Sequence, residues 1–183
     1  AIIRRAVKLA DEAAEHVIGL LRPGMSELEA AWELEVYMRT HGAEAIGFPF
    51  IVAAGPNASL PHAIPSDRPI QAGEPITLDL GAQVDGYRSD LTRTVCLGKP
   101  KDDTYLQVWN TVLDAQLRAE EGIRAGMSGR EADALARDVI AAAGYGEHFG
   151  HGLGHGVGLA IHEAPRASRL AEMPLPVAAT LTI

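Results

Sequence analysis

Residues 21–42 read LRPGMSELEAAWELEVYMRTHG, and residues 123–144 read IRAGMSGREADALARDVIAAAG. Gly-Met-Ser at 24–26 returns at 126–128, and Gly42 has its counterpart in Gly144 at the same spacing. Ser26 with Glu29, and Ser128 with Glu131, have the form of a reciprocal cap, in which each side chain bonds the other residue's backbone N–H at a helix start. Apolar residues follow at helical spacing: Ala30, Leu34, Tyr37 and Met38 in the first copy, Ala132, Leu135, Ala136, Val139, Ile140 and Ala143 in the second. The closing glycine of each copy suits the left-handed residue that commonly ends a helix.

The same order extends outward from both copies. A helical stretch precedes each one, at about residues 2–21 and 103–123, and a segment rich in Gly, Pro and short apolar runs follows. LPHAIP at 60–65 and AIHEAP at 160–165 fall at nearly equivalent places. The chain therefore reads as helix–helix–strands, twice. That order predicts an α+β fold of duplicated, pseudo-twofold halves with a site at their junction, and no linker or low-complexity segment interrupts it.

Composition narrows the function classes. The 183 residues suffice for one domain with a sizeable core, and 47% apolar with 22% charged residues is ordinary for a globular chain. A net charge of −8 argues against nucleic acid or an anionic membrane as partner. No apolar run approaches the length of a membrane span. The single cysteine, Cys96, forbids an internal disulfide and leads us to expect a reducing compartment, the cytoplasm. The first residue is not methionine, and the apolar run TLTI ends the chain with no polar tail, so a fragment of a longer protein is expected.

Between the halves lies PITLDLGAQVDGYRSDLTRTVCLG, residues 75–98. Its alternation and the Asp85-Gly86 pair predict a β-hairpin. With those two as turn residues, Val84 faces Tyr87 and Asp79 faces Thr92. Asp79 and Asp90 then share one face as diagonal neighbours, about 7–8 Å apart at the backbone. Aspartate is disfavoured in strands, so a pair on one face calls for a cause. Metal binding is one. An ion pair with Arg88 or Arg93, a solvated face, or an acid–base pair of the glycosidase kind are others.

GHGLGHGVGLAIHEAP, residues 150–165, carries three of the seven histidines and five alternate glycines. The glycines exclude a stable helix, so His151 and His155 are expected on one face of an extended strand, with room for another backbone or a ligand to approach. HEAP is not a zincin HEXXH, Leu159 stands where a dinucleotide fingerprint needs its third glycine, and no lysine follows as in a P-loop. His16 and His41 fall in helices and have no assigned role. With Asp79 and Asp90, the group His62, His151, His155 and His162 argues for mixed carboxylate and imidazole ligation of Mn, Fe, Co or Zn.

LDLG–GYRSDLTRT followed by HGLGHGVGLAIHEAP resembles the pita-bread metallopeptidases, which include methionine aminopeptidase, Xaa-Pro aminopeptidase, prolidase and the metal-free creatinase. The resemblance covers nearly the whole chain, 1–183, as the catalytic domain, and implies an α+β pita-bread fold. It implies that Asp79 chelates one of two divalent ions, that Asp90 bridges both and that His155 binds the second. His62, His151 and His162 match histidines that line the substrate pocket and bind the scissile peptide or move protons. Asp79, Asp90 and His155 argue against creatinase.

SDLTRT and GVGLAIHEAP are more similar to the Xaa-Pro-cleaving branch. The implied substrate is a peptide with proline in second position. The implied cofactor is two divalent ions, manganese first, with cobalt, zinc or iron as alternatives. A homodimer follows by analogy. Methionine aminopeptidase and a non-catalytic peptide-binding relative are the rival readings. The family continues its T-I strand into Glu-Pro-Gly, and supplies a second, bridging glutamate further on, whereas this sequence ends at Thr182-Ile183. Lacking those glutamates, the family's C-terminal strands and the accessory N-terminal domain, the chain as given is expected to hold metal weakly or not at all, and to be inactive.

Overall fold

The helix pair that opens the chain sets the pattern for everything after it. In the computed structural model, which describes residues 2–183, α1 (Ile2–Leu20) and α2 (Glu27–Thr40) lead into the short strands β1 (Ala45–Ile46) and β2 (Ile51–Ala54). A 3-10 turn, Gly55–Ser59, follows, and then β3 (Pro75–Leu80), β4 (Ala82–Val84), β5 (Tyr87–Arg88) and β6 (Leu91–Cys96). The second helix pair is α3 (Thr104–Gly122) and α4 (Gly129–Ala142), followed by a 3-10 turn at Gly146–His148 and the strands β7 (Gly154–Gly156) and β8 (Glu163–Ala167).

The duplication holds to the residue. The first helices of the two sets are both 19 residues long, and the second helices both 14. Each second-set helix begins 102 positions after its counterpart, Thr104 against Ile2 and Gly129 against Glu27. Both reciprocal caps form: Ser26 Oγ accepts from the Glu29 N–H, Ser128 Oγ from the Glu131 N–H, and each glutamate takes its serine's N–H at 2.7 Å. Those N–H groups are the first cause holding Glu29 and Glu131 below the usual carboxylate range. The segment entering each cap also bonds a later loop identically. Gly24 N donates to Ile70 O and Ile70 N to Met25 O in one half, Gly126 N to Leu175 O and Leu175 N to Met127 O in the other.

The chain divides into two units, Ala1–Asp103 and Thr104–Ile183, and each has its own apolar core. In the first, α1 buries Ala6, Leu9, Ala10, Ala13, Ala14 and Val17, with Leu34 and Met38 of α2, against Val52, Ile76, Leu78 and Leu80. Small residues on α1 let the helix lie close on the strands, and burying a leucine such as Leu34 or Leu78 stabilises the unit by about 1.5–3 kcal/mol. The second unit has smaller cores, around Ala115, Ala119, Ala136 and Ile140, and around Ala132, Ala167 and Leu175.

The expected hairpin keeps its register but bends into two sheets. Val84 pairs with Tyr87 and Asp79 with Thr92, and the turn forms at Asp85 (φ 47) and Gly86 (φ 79). β3 and β6 join β2 in the order β2-β3-β6, while β4 and β5 join β1 in the order β1-β4-β5. The ladder breaks because Ser89 Oγ accepts the Ala82 N–H at 3.0 Å, replacing a backbone carbonyl, and also bonds Ala6 O on α1. A side chain at Gly81 would overlap the Ser89 carbonyl oxygen, so only glycine permits the crossing.

The second expected strand is shorter than its glycine pattern. Only Gly154–Gly156 is regular, antiparallel to β8, with an irregularity between His155 and Gly156, and His151 lies outside it. His41 sits one position past α2, as its C-cap.

Candidate metal and peptide site

Alternation along β3 separates two surfaces. Ile76, Leu78 and Leu80 are fully buried in the core, so Thr77 and Asp79 lie on the opposite face. Thr94 and Thr92 of β6 stand across from them, and the Thr77 and Thr94 hydroxyls are 3.3 Å apart. Asp90, half-buried like Asp79, directly precedes β6, two residues ahead of Thr92. The Thr92 hydroxyl donates to Asp79 Oδ1 at 3.0 Å and fixes the orientation of that carboxylate. Both arginines weighed as partners are engaged elsewhere as well: Arg93 bonds Asp11 at 2.9 Å, and Arg88 donates to Gly47 O at 2.8 Å.

His62 lies in the first unit, exposed in a turn closed by the Ala63 N–H on Leu60 O. Its neighbours Leu60 and Ile64 are also exposed, at 55% and 84%.

In the second unit the glycine-rich segment is a place of close backbone approach, as its pattern predicts. A Cβ at Gly154 would overlap Thr182 O, and one at Gly156 would overlap Ala164 O. Thr182 N donates to His155 O at 2.8 Å, and the His155 N–H goes to the Thr182 hydroxyl at 3.1 Å. Squeezed between two neighbouring segments, the His155 backbone is held on both edges. Its ring meets that of His162 edge-on, centroids 4.4 Å apart, and the Phe149 ring stands 4.9 Å from that of His151. The Nδ1 atoms of His151 and His155 lie 2.8 and 3.0 Å from the carbonyls of Gly152 and Gly156. A carbonyl only accepts, so each Nδ1 is the donor in these contacts, and in the neutral ring Nε2 is then the nitrogen with the lone pair that a metal or a proton would take.

The carboxylates of Asp79 and Asp90 in the first unit, and the imidazole of His155 in the second, are each donors of the type that suits a divalent ion of the Mn, Fe, Co or Zn kind. Among the described residues, no three His, Cys, Asp or Glu side chains form a ready-made cage. The fit is therefore one of donor chemistry.

Two fully buried acids were not foreseen from the sequence. Glu27 and Asp133 are 0% and 1% exposed, yet each stands in the first turns of a helix, where acids are ordinary surface residues. Asp133 with Arg137 has the spacing of a surface helix pair. The available signal was that Asp133 directly follows Ala132 of the apolar stripe.

Known proteins resemble this chain along its length. The model of metallopeptidase family M24 matches residues 1–183. An uncharacterized peptidase of Bacillus subtilis, YqhT, is 47% identical over 167 residues, 91% of this chain and 47% of its own length. The Xaa-Pro dipeptidase of Pyrococcus horikoshii is 41% identical over 182 residues, spanning this chain completely and 52% of its own length. The solved structure of an Xaa-Pro dipeptidase from Bacillus anthracis superposes with a TM-score of 0.96 at 47% identity, over 98% of this chain and 50% of that one. The chain thus spans about half the length of the relatives it matches. It has their α+β pita-bread fold, and it belongs to metallopeptidase family M24.

Proposed function

We propose that this chain is part of a metal-dependent peptidase that hydrolyses the bond between an N-terminal residue and proline. Dipeptidase names among its relatives at 41–47% identity favour that substrate over an N-terminal methionine. The observation that carries the reading is that the first unit holds Asp79 paired with Thr92 in its central sheet, with Asp90 just ahead of β6, while the second unit holds a histidine segment whose His155 Nδ1 is engaged by the Gly156 carbonyl.

Asp79, Asp90 and His155 are the proposed ligands. Two divalent ions, manganese by preference, would supply an activated water and polarise the peptide carbonyl. The remaining steps belong to the chain's own groups. Thr92 keeps the Asp79 carboxylate turned to the ligand face. His162, against His155, is proposed to donate to the carbonyl oxygen as charge develops there. His62 and His151 are proposed to orient the peptide and to move the proton to the leaving proline nitrogen. A second copy of the chain is the proposed partner, and the cytoplasm the proposed location. Among the described residues, no helix is long and apolar enough to cross a membrane.

The test uses the protein at its full natural length with manganese, comparing release of the first residue from Ala-Pro and Met-Ala peptides. The proposal expects cleavage before proline only. Cleavage after methionine alone would assign the methionine aminopeptidase reading, and no cleavage of either with metal bound would favour a peptide-binding role.

A further inference from the structure

The two unforeseen acids do the same thing in the two halves. Glu27 sits at the start of α2 and accepts from the Ala54 N–H at 2.8 Å, from Asn57 Nδ2 at 3.0 and 3.1 Å, and from the Ser66 N–H and hydroxyl at 3.1 and 2.7 Å. Residues 54, 57 and 66 bracket the turn that carries His62, so one carboxylate ties down both ends of that segment. Asp133 sits near the start of α4. Its Oδ1 accepts the Leu153 N–H at 2.9 Å, and both its oxygens bind the Arg137 guanidinium, Nε at 2.6 Å and Nη2 at 3.0 Å. Arg137 then donates onward to Phe149 O at 2.8 Å and to His151 O at 2.6 Å, with its guanidinium 4.2 Å over the Phe149 ring. Residues 149, 151 and 153 bracket, and include, His151.

Burying a charged carboxylate is expensive, and a well-packed apolar contact would hold a helix to a loop at least as well. What an acid provides that an apolar contact does not is direction, because each oxygen fixes particular backbone donors. Outside these bonds the two segments have little regular ladder: His62 lies in a turn and His151 precedes β7. We infer that Glu27, and Asp133 acting through Arg137, are positioning residues that set the placement of His62 and His151. The inference rests on the reading of those histidines as substrate-facing groups, and deepens it. A displacement of about 1 Å in a catalytic group can lower a rate by roughly a hundredfold, so placement of this kind is read in kcat.

The experiment uses the full-length protein. Arg137→Lys keeps the charge beside Asp133 but removes the fork that reaches the carbonyls of residues 149 and 151. It should lower kcat on Ala-Pro by about 10–100-fold with KM little changed, and it should have no further effect on kcat in a His151→Ala background. The His151 Cε1–H resonance should move while those of His16 and His41 stay in place. Asn57→Ala is the second arm, judged in the same way against His62→Ala and the His62 resonance, and it decides the matter if Arg137→Lys does not fold. Losses that multiply with the histidine substitutions, or unmoved His151 and His62 resonances, would overturn the inference. Should the parent protein cleave no Xaa-Pro peptide, the function proposed above fails, and the resonances alone decide whether the acids place the histidines.

Discussion

Gly81→Ala is a demanding test of how the carboxylates are brought together. A Cβ on residue 81 would overlap the Ser89 carbonyl oxygen and come within 2.8 Å of the Phe48 ring. The phenyl ring could turn away, but Ser89 has no such freedom. It is fully buried, its N–H bonds Ala82 O at 3.0 Å, and its hydroxyl is tied to both Ala82 N and Ala6 O. Relief must therefore come from parting the ribbon from α1. Overpacking of this kind costs about 1–3 kcal/mol, and a rigid backbone obstacle places it near 3. In a protein of this size each kcal/mol moves Tm by about 2–4 °C, so the substitution should lower Tm by about 6–12 °C. Asp90 follows Ser89 directly, so metal affinity should fall with stability. Gly19→Ala is the control: nothing lies within 4 Å of its Cβ in α1, and the change should stabilise by about 0.5–1 kcal/mol. Calorimetric melting of the three proteins decides the matter. A Gly81→Ala protein that melts within about one degree of the parent would refute the close crossing of residues 81 and 89.

Other perturbations address separate parts of the account. Ser26→Ala and Ser128→Ala each remove a reciprocal cap and should each cost about 1 kcal/mol in denaturant unfolding; a cost confined to one of them would mean the two caps are not equivalent. Glu74, 7% exposed, is held below its ordinary value of 4.5 by the Lys101 ammonium first and then by Arg68, both 2.7 Å away. A lowered folded pKa gives stability that is present above the ordinary value and is lost as pH falls through the lowered one. Glu74→Gln should therefore be less stable than the parent at pH 6, and the gap should close below 4.5, as followed by thermal melts across pH. Asp90→Asn should lower manganese-dependent hydrolysis of Ala-Pro by more than about 100-fold, since even the outer partners of metal ligands are worth 10–100-fold. Full activity in that variant would remove Asp90 from the ligand set.

The duplication was legible because it rests on local rules. A serine and a glutamate three apart make a cap wherever they precede an apolar stripe, and both copies obeyed. The register of Asp79 against Thr92 followed from one turn dipeptide, since pairing propagates in steps of one residue from Asp85-Gly86. Features created by distant segments were hidden. Ser89 breaks the ladder because α1 offers it the Ala6 carbonyl, 83 residues away in sequence. β7 is short because its pairing with β8 shifts register between His155 and Gly156. Glu27 and Asp133 have the spacing of solvated helix acids, and only the loops folded over them make them buried anchors.

Asp79, Asp90 and His155 are the side chains proposed to hold the metal. Anomalous diffraction from manganese-grown crystals of the full-length protein tests this directly. The account predicts anomalous peaks touching the carboxylates of Asp79 and Asp90 and Nε2 of His155. Manganese bound at side chains other than these three would contradict it.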